Sequence, residues 1–225
     1  MVLKLYGHNF STCTRLVALV LYEKNVPFEF CVVDLMNDYQ KLWEHTKKHP
    51  FGLVPYIDDD GFILYESRAI AHYIASKYAS RGPVLIPTDI KGNALFQQAA
   101  SMEMAYFNEY AQKAVHEALV HPLKGLPSCP AVFDSFIGQL SEKLDVYDEI
   151  LSKQRYLTGD QITLADLCHL PLGVMLAKAG SNVIETKPNV HRWFCDMASR
   201  PSWQAVKDVI RGISPADAYQ VSALL

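Results

Sequence analysis

The fold of this protein is decided by residues 2–35, which read VLKLYGHNFSTCTRLVALVLYEKNVPFEFCVVDL. Val2 to Tyr6 form a short apolar stretch that predicts a strand. An apolar pattern at helical spacing begins after Ser11 and stops before Pro27, which predicts a helix. Phe28 to Leu35 are rich in aromatic and β-branched residues and predict a second strand. A strand–helix–strand unit implies a parallel pair of strands with a right-handed crossover between them.

The next residues complete a small α/β domain. Residues 37–49 are polar and give only a weak helical signal. Val54 to Ile57 and Phe62 to Tyr65 flank an Asp60-Gly61 turn, which is typical of a hairpin. Ser67 to Tyr78 carry apolar residues every four positions and predict an amphipathic helix. The predicted order is β-α-β-(α)-β-β-α, and the hairpin makes the sheet a mixed one.

A second domain follows, in which strand signals nearly vanish. Residues 79–89 contain a glycine and two prolines and are typical of a linker. The sequence therefore predicts an α/β domain over residues 1–79, a linker over 80–90 and an all-helical domain over 91–225. Its candidate helices span about residues 90–119, 131–153, 163–178, 187–199 and 202–211.

Composition excludes several classes of protein. The chain has 225 residues, of which 50% are hydrophobic and 20% are charged, so it is not an intrinsically disordered protein. Its net charge of −3 argues against a nucleic-acid partner. No apolar run is long enough to span a membrane, and the N-terminus does not resemble a secretory signal, so neither a membrane partner nor export is expected. The five cysteines are odd in number and scattered, which indicates reduced thiols in a cytoplasmic protein.

Four segments carry a resemblance to a known family. Tyr6 to Arg15 (YGHNFSTCTR) resemble the strand-to-helix turn of the serine-type cytosolic glutathione transferases. His49 to Pro55 (HPFGLVP) and Leu64 to Ile70 (LYESRAI) are similar to the family segments NPFGQVP and LFESRAI. Ile162 to Asp166 (ITLAD) resemble the capping box of the family's helical domain. The likeness covers nearly the whole chain and is greatest to the phi class, which implies a thioredoxin-like first domain.

This resemblance implies a transferase that uses glutathione as co-substrate and needs no metal. Ser11 would stabilise the glutathione thiolate, Thr12 is a second hydroxyl within reach, and the thiolate would add to an electrophilic hydrophobic compound. Position alone favours a simpler role for Ser11, which is to cap the helix. Arg15, one turn later, is as well explained by an ion pair as by an effect on the thiolate.

The resemblance also implies the residues that bind glutathione: Gln40, Lys41, Leu53, Val54, Pro55, Glu66 and Ser67. The family keeps the bond before the proline of Val54-Pro55 in the cis form and pairs the Val54 backbone with the cysteinyl backbone of glutathione. Ser67 and the helix it begins would receive the γ-glutamyl carboxylate, and Glu66 the ammonium group. Gln40 and Leu53 depart from the family's His and Gln.

An electrophile pocket and a homodimer are further implications of the resemblance. The expected pocket residues are His8, Phe10, Tyr106, Phe107, Tyr110, His116 and Met175. Without the resemblance, an aromatic stripe on a long helix is more often part of a core.

Three alternatives remain open. The chain could be a ligandin-type protein that binds hydrophobic molecules without turnover. It could be a thiol transferase that depends on Cys13, because a cysteine at a helix N-terminus can be a nucleophile. It could also be a structural module within a larger complex. His45 and His49 are four residues apart, but no glutamate accompanies them and Pro50 follows, so a metal site is not expected there.

Overall fold

The computed structural model describes residues 2–221, which form two compact units. The first unit contains the chain up to Ile86 together with the segment that begins at Arg200, and the second runs from Pro87 to Ser199. This division differs from the expected helical domain over residues 91–225, because the C-terminal segment groups with the first unit. Its attachment includes an ion pair from Arg200 to the buried Glu23.

The first unit is built on a four-stranded mixed sheet in the order β2-β1-β3-β4. β1 is parallel to β2 and antiparallel to β3, and β3 is antiparallel to β4. The strands are β1 (Leu3–Gly7), β2 (Phe28–Val32), β3 (Tyr56–Asp59) and β4 (Phe62–Tyr65). The helices up to residue 86 are α1 (Thr12–Glu23), α2 (Trp43–Thr46) and α3 (Ser67–Lys77). The mixed sheet and its order of elements agree with the sequence prediction.

Local turn chemistry explains several boundaries of this unit. Asp60 and Gly61 both have positive φ angles, as a tight hairpin turn between β3 and β4 requires. Asn25 also has a positive φ angle where α1 ends. The weakly patterned segment 37–49 holds only a 3₁₀ turn (Tyr39–Lys41) and the short helix α2. β2 ends at Val32, three residues before the predicted end.

The second unit is helical. A continuous helical run begins with α4 (Ile90–Met102), continues through α5 (Glu109–Val115) and ends with α6 (His121–Leu123), with π-helical turns before and after α5. The other helices are α7 (Pro130–Lys153), α8 (Leu164–Lys178) and α9 (Pro188–Ala198). The N-terminus of α8 is fixed by the predicted capping box between Thr163 and Asp166.

The C-terminal segment returns to the first unit as α10 (Pro201–Val206) and α11 (Pro215–Val221). The sequence predicts a helix to residue 211, but α10 ends at Val206 because the following residues pair with other elements. Ile213 exchanges two backbone hydrogen bonds with Phe28 of β2, at 2.9 and 3.0 Å. Gly212 is needed for this approach, since a Cβ there would lie 2.5 Å from the Phe28 carbonyl oxygen.

Candidate active site

Strand register brings three of the predicted motifs to one end of the sheet. Tyr6 is paired with Tyr56, and Tyr56 with Tyr65, so these residues form a row across β1, β3 and β4. β1 ends just beyond this row, β3 begins at it, and β4 ends at it. Consequently the segments around Ser11, Val54-Pro55 and Glu66-Ser67 all emerge at the same edge, although they are far apart in the sequence.

Ser11 is the N-cap of α1. Its backbone N–H donates to the His8 carbonyl at 3.0 Å, closing a tight turn over Asn9 and Phe10. Its side-chain Oγ accepts the Thr14 N–H at 3.1 Å. A hydroxyl can accept and donate at once, so the Ser11 proton is still available to a ligand. The capping role and a thiolate-binding role are therefore compatible.

The neighbours of Ser11 differ in their surroundings. Thr12 is the first residue of α1 and, like Cys13, it is half-buried. Arg15 is only 5% exposed, and its Nε has no hydrogen-bond partner among the described residues. Burial lowers the pKa of Arg15, and the charge of Asp208 opposes this change. A buried guanidinium one turn after Ser11 adds positive charge near the first turn of α1.

The loop from His49 to Pro55 is shaped by several close contacts. The Val54-Pro55 bond is cis, as the resemblance implied. His45 Nε2 lies 2.7 Å from the Leu53 carbonyl oxygen, and this contact holds the loop against α2. Within residues 2–221, the backbone of Val54 has no hydrogen-bond partner. Its N–H and C=O are therefore available to an extended peptide.

Glu66 and Ser67 join β4 to α3. Ser67 is the first residue of α3 and is buried, whereas Glu66 is exposed. Glu66 has φ 71° and its side chain makes no capping hydrogen bond, so the Glu66 carboxylate does not occupy the N-terminus of α3. A non-glycine residue with such a φ angle costs about 1–3 kcal/mol and is often found at ligand sites. This helix end can receive an anion.

Gln40 and Lys41 lie against the same loop. Lys41 Nζ is 3.5 Å from the Phe51 carbonyl oxygen. Gly52 has a positive φ angle, and a Cβ there would lie 3.0 Å from the Gln40 carbonyl oxygen. Gln40 Nε2 donates to Asp38 at 2.9 Å, while its buried Oε1 has no partner. The structure therefore places this pair against Phe51 and Gly52, the residues just before Leu53.

The expected pocket residues have different environments within their own units. In the first unit, Phe10 is 68% exposed and its ring lies 5.0 Å from the His8 ring. In the second unit, Tyr106 is 48% exposed, but Phe107 is 1% exposed and packs on His169 at 4.7 Å. Phe107 therefore belongs to the core, which is the more common role of an aromatic stripe. The remaining residues are partly or fully exposed: Tyr110, His116 and Met175.

Two histidines have a role that the sequence analysis did not assign. The described residues contain no cluster of three or more His, Cys, Asp or Glu side chains that could hold a metal ion. Instead, His45 binds the loop backbone, and the buried His49 ring packs on Tyr65 at 4.9 Å. Burial lowers the pKa of His49. The four-residue spacing of His45 and His49 indicates that both side chains lie on the same face of this helical segment.

No helix within residues 2–221 has the length and apolar character needed to cross a membrane.

Comparisons with known proteins agree with this geometry. The family described as "Glutathione S-transferase, N-terminal domain" matches residues 5–82, and "Glutathione S-transferase, C-terminal domain" matches residues 114–201. A glutathione S-transferase of Hypomyces subiculosus is 42% identical over 208 residues, covering 90% of this chain and 96% of that protein. One from Arabidopsis thaliana is 36% identical over 206 residues, covering 91% and 96%.

Solved structures of glutathione transferases are also similar to this chain. The crystal structure of a Populus trichocarpa glutathione transferase has a TM-score of 0.88 at 38% identity, covering 92% of this chain and 98% of that one. The Arabidopsis and poplar relatives carry the F designation of the phi class. These matches extend over both units and include the segments that converge at the end of the sheet. The chain belongs to the glutathione S-transferase family and is related to its phi class.

Proposed function

We propose that the Ser11 hydroxyl donates a hydrogen bond to the thiolate of glutathione, which then attacks an electrophilic hydrophobic compound. The observation that carries this proposal is the geometry of the α1 cap. Ser11 Oγ already accepts the Thr14 N–H at 3.1 Å. The Ser11 hydroxyl proton is therefore left to donate to a ligand, and it can point away from the helix. Thr12 is a second hydroxyl on the same turn.

The energies involved are sufficient for this role. A free thiol has a pKa near 8.5, and lowering it by about two units requires roughly 2.7 kcal/mol. A hydrogen bond to a charged group contributes about 1.5–3 kcal/mol, and a helix N-terminus adds about 0.3–1 kcal/mol. The buried Arg15 adds further positive charge near the same turn. No covalent bond between enzyme and substrate is required.

The same edge of the sheet offers a partner for each part of glutathione. The free backbone groups of Val54 pair with the cysteinyl residue in the manner of an added strand. The N-terminus of α3 at Ser67 binds the γ-glutamyl carboxylate, and Glu66 binds the ammonium group. Lys41 and Gln40 bind the glycyl carboxylate. Leu53 and Pro55 shape the loop that carries Val54.

Each unit offers exposed aromatic surface to an apolar electrophile. In the first unit these side chains are the partly exposed His8 and the exposed Phe10, and in the second they are the exposed Tyr106 and the partly exposed Tyr110. The exposed His116 follows Tyr110 closely in the sequence, and the partly exposed Met175 lies on α8. A maize glutathione S-transferase that is 28% identical, with a TM-score of 0.83, was crystallised with an atrazine glutathione conjugate. We propose an aromatic electrophile of comparable size here. We further propose a homodimer that acts in the cytoplasm.

The test is the rate of glutathione conjugation to chlorodinitrobenzene by wild type, Ser11→Ala, Thr12→Val and Cys13→Ser. We expect Ser11→Ala to lower kcat/KM by about 10- to 150-fold, since the hydrogen bond of about 1.5–3 kcal/mol to the thiolate is removed while the helix N-terminus remains. Cys13→Ser should remain within about twofold of wild type, since the proposal gives that thiol no role.

The other outcomes identify the alternatives. Loss of activity in Cys13→Ser with retention in Ser11→Ala would assign a thiol transferase. Loss in Thr12→Val alone would move the thiolate donor to Thr12. Absence of wild-type turnover, with tight binding of a hydrophobic dye that survives Ser11→Ala, would assign a ligand-binding protein.

A further inference from the structure

We infer that Asn9 is a positioning residue, which uses the C-terminal segment to hold the Ser11 turn in its active geometry. This inference rests on the proposed role of Ser11. The Asn9 side chain links the His8–Ser11 turn to a segment far away in the sequence, whereas the Ser11 side chain bonds the nearby Thr14 N–H. Asn9 Oδ1 accepts the backbone N–H of Ile210 at 2.7 Å, across 201 residues of sequence.

The partner of Asn9 is itself firmly held. Ile210 is buried, and the next residue, Arg211, accepts the Tyr22 hydroxyl at 3.1 Å through its carbonyl oxygen. Ile213 is bound to Phe28 through two backbone hydrogen bonds. The segment around residues 210–213 is therefore fixed to α1 and β2. Asn9 fastens the Ser11 turn to this fixed segment.

The other hydrogen bonds of the turn are local ones. Within itself it is closed by the Ser11 N–H to the His8 carbonyl, at 3.0 Å. The Phe10 N–H donates to His8 Nδ1 at 3.2 Å, Ser11 Oγ accepts the Thr14 N–H at 3.1 Å, and the His8 N–H reaches Thr14 Oγ1 at a long 3.4 Å. These bonds join residues at most six positions apart, whereas the Asn9 bond ties the turn to a distant segment. The turn precedes α1, so a shift of Asn9 changes the direction in which the Ser11 hydroxyl points. A misplacement of about 1 Å can cost up to about 100-fold in rate.

The same segment carries a charge near this turn. Asp208 acts on the buried Arg15 and opposes the effect of its burial. The C-terminal segment therefore contributes both a tether to Asn9 and a counter-charge to Arg15. Neither contribution can be inferred from the sequence of residues 1–79 alone.

The experiment compares wild type, Asn9→Ala, Asn9→Asp, Tyr22→Phe and Ser11→Ala. The readouts are kcat and KM for glutathione with chlorodinitrobenzene, the ultraviolet absorbance of the bound thiolate as a function of pH, and hydrogen exchange at the Ile210 amide. Asn9→Asp keeps the accepting oxygen but adds a negative charge, which can itself shift the thiol pKa. The kcat of each protein is therefore measured at a pH above its own apparent thiol pKa. Tyr22→Phe is the matched control, since it removes one anchor of the same segment without touching the turn, while the two Ile213–Phe28 hydrogen bonds still hold that segment.

We expect Asn9→Ala to lower kcat about tenfold, to change KM less than threefold, to raise the apparent pKa of the bound thiol and to speed exchange at Ile210. Asn9→Asp should recover most of kcat, and Tyr22→Phe should behave as wild type. The inference is overturned if Asn9→Ala has a normal kcat, or if Tyr22→Phe is equally impaired. A normal thiolate signal in Ser11→Ala refutes the proposed function itself and this inference with it, whereas a defect in Ser11→Ala alone refutes only the inference.

Discussion

Replacement of Asp166 by alanine should destabilise the second unit severely. The carboxylate of Asp166 is fully buried and accepts three N–H groups: the Leu157 backbone at 2.9 Å, the Thr163 backbone at 2.8 Å and the Trp193 indole at 3.0 Å. It also accepts the Thr163 hydroxyl at 2.9 Å. Alanine leaves these donors without a partner away from water.

The cost follows from those donors. Each buried donor that loses its acceptor costs about 1–3 kcal/mol, and three such losses in the lower half of that range sum to about 3–6 kcal/mol. A typical domain has only about 5–15 kcal/mol of stability, so a large part of it would be lost. Asp166→Asn keeps one accepting oxygen and should lie between alanine and wild type.

The assay is urea unfolding followed by tryptophan fluorescence, because Trp193 is itself a partner of the deleted group. Asp148→Ala is the matched control: the Asp148 carboxylate also accepts three hydrogen bonds at the start of a helix, from Asn189 and Val190, but it is half-buried. Water can replace it there, so we expect a loss of about 1–2 kcal/mol. If Asp166→Ala costs no more than Asp148→Ala, the reasoning from buried donors is wrong.

Three further predictions concern the first unit. Gly7→Ala should lower the free energy of unfolding by about 1–3 kcal/mol and also lower the rate of glutathione conjugation, because a Cβ there overlaps the Thr14 side chain beside the Ser11 turn. Thermal unfolding and conjugation kinetics test this prediction. Glu66→Gly should raise the free energy of unfolding by about 1 kcal/mol, because glycine adopts the positive φ angle of this position without strain. It should also raise KM for glutathione, because the carboxylate that binds the ammonium group is removed. A more stable variant with unchanged KM would contradict the ammonium-binding role. Burial raises the pKa of Asp59, but hydrogen bonds led by that from Lys77 outweigh it, so the folded pKa lies below the unfolded one. The stability from Asp59 is therefore present above the unfolded pKa of about 3.9 and is lost as the pH falls through the folded pKa, and acid unfolding of Asp59→Asn should lack this component.

Much of the candidate site could be predicted from the sequence because its motifs are local. The N-cap at Ser11, the turn at Asp60-Gly61 and the start of α3 at Ser67 each depend on residues within a few positions of one another. The resemblance supplied the role of Val54-Pro55, whose cis bond the structure contains. The aromatic stripe was the less informative pattern, because spacing alone cannot tell the buried Phe107 from the exposed Tyr106.

The sequence by itself therefore determined the strand–helix–strand unit at the start of the chain, the hairpin, the helical second part and the four segments that resemble the glutathione transferases. Only the tertiary structure decided that residues after Arg200 return to the first unit and that Asn9 binds Ile210. The physical reason is the range of the forces involved. Periodicity, caps and turns act over three to seven residues, whereas a hydrogen bond across 201 residues forms only after packing has already closed that loop.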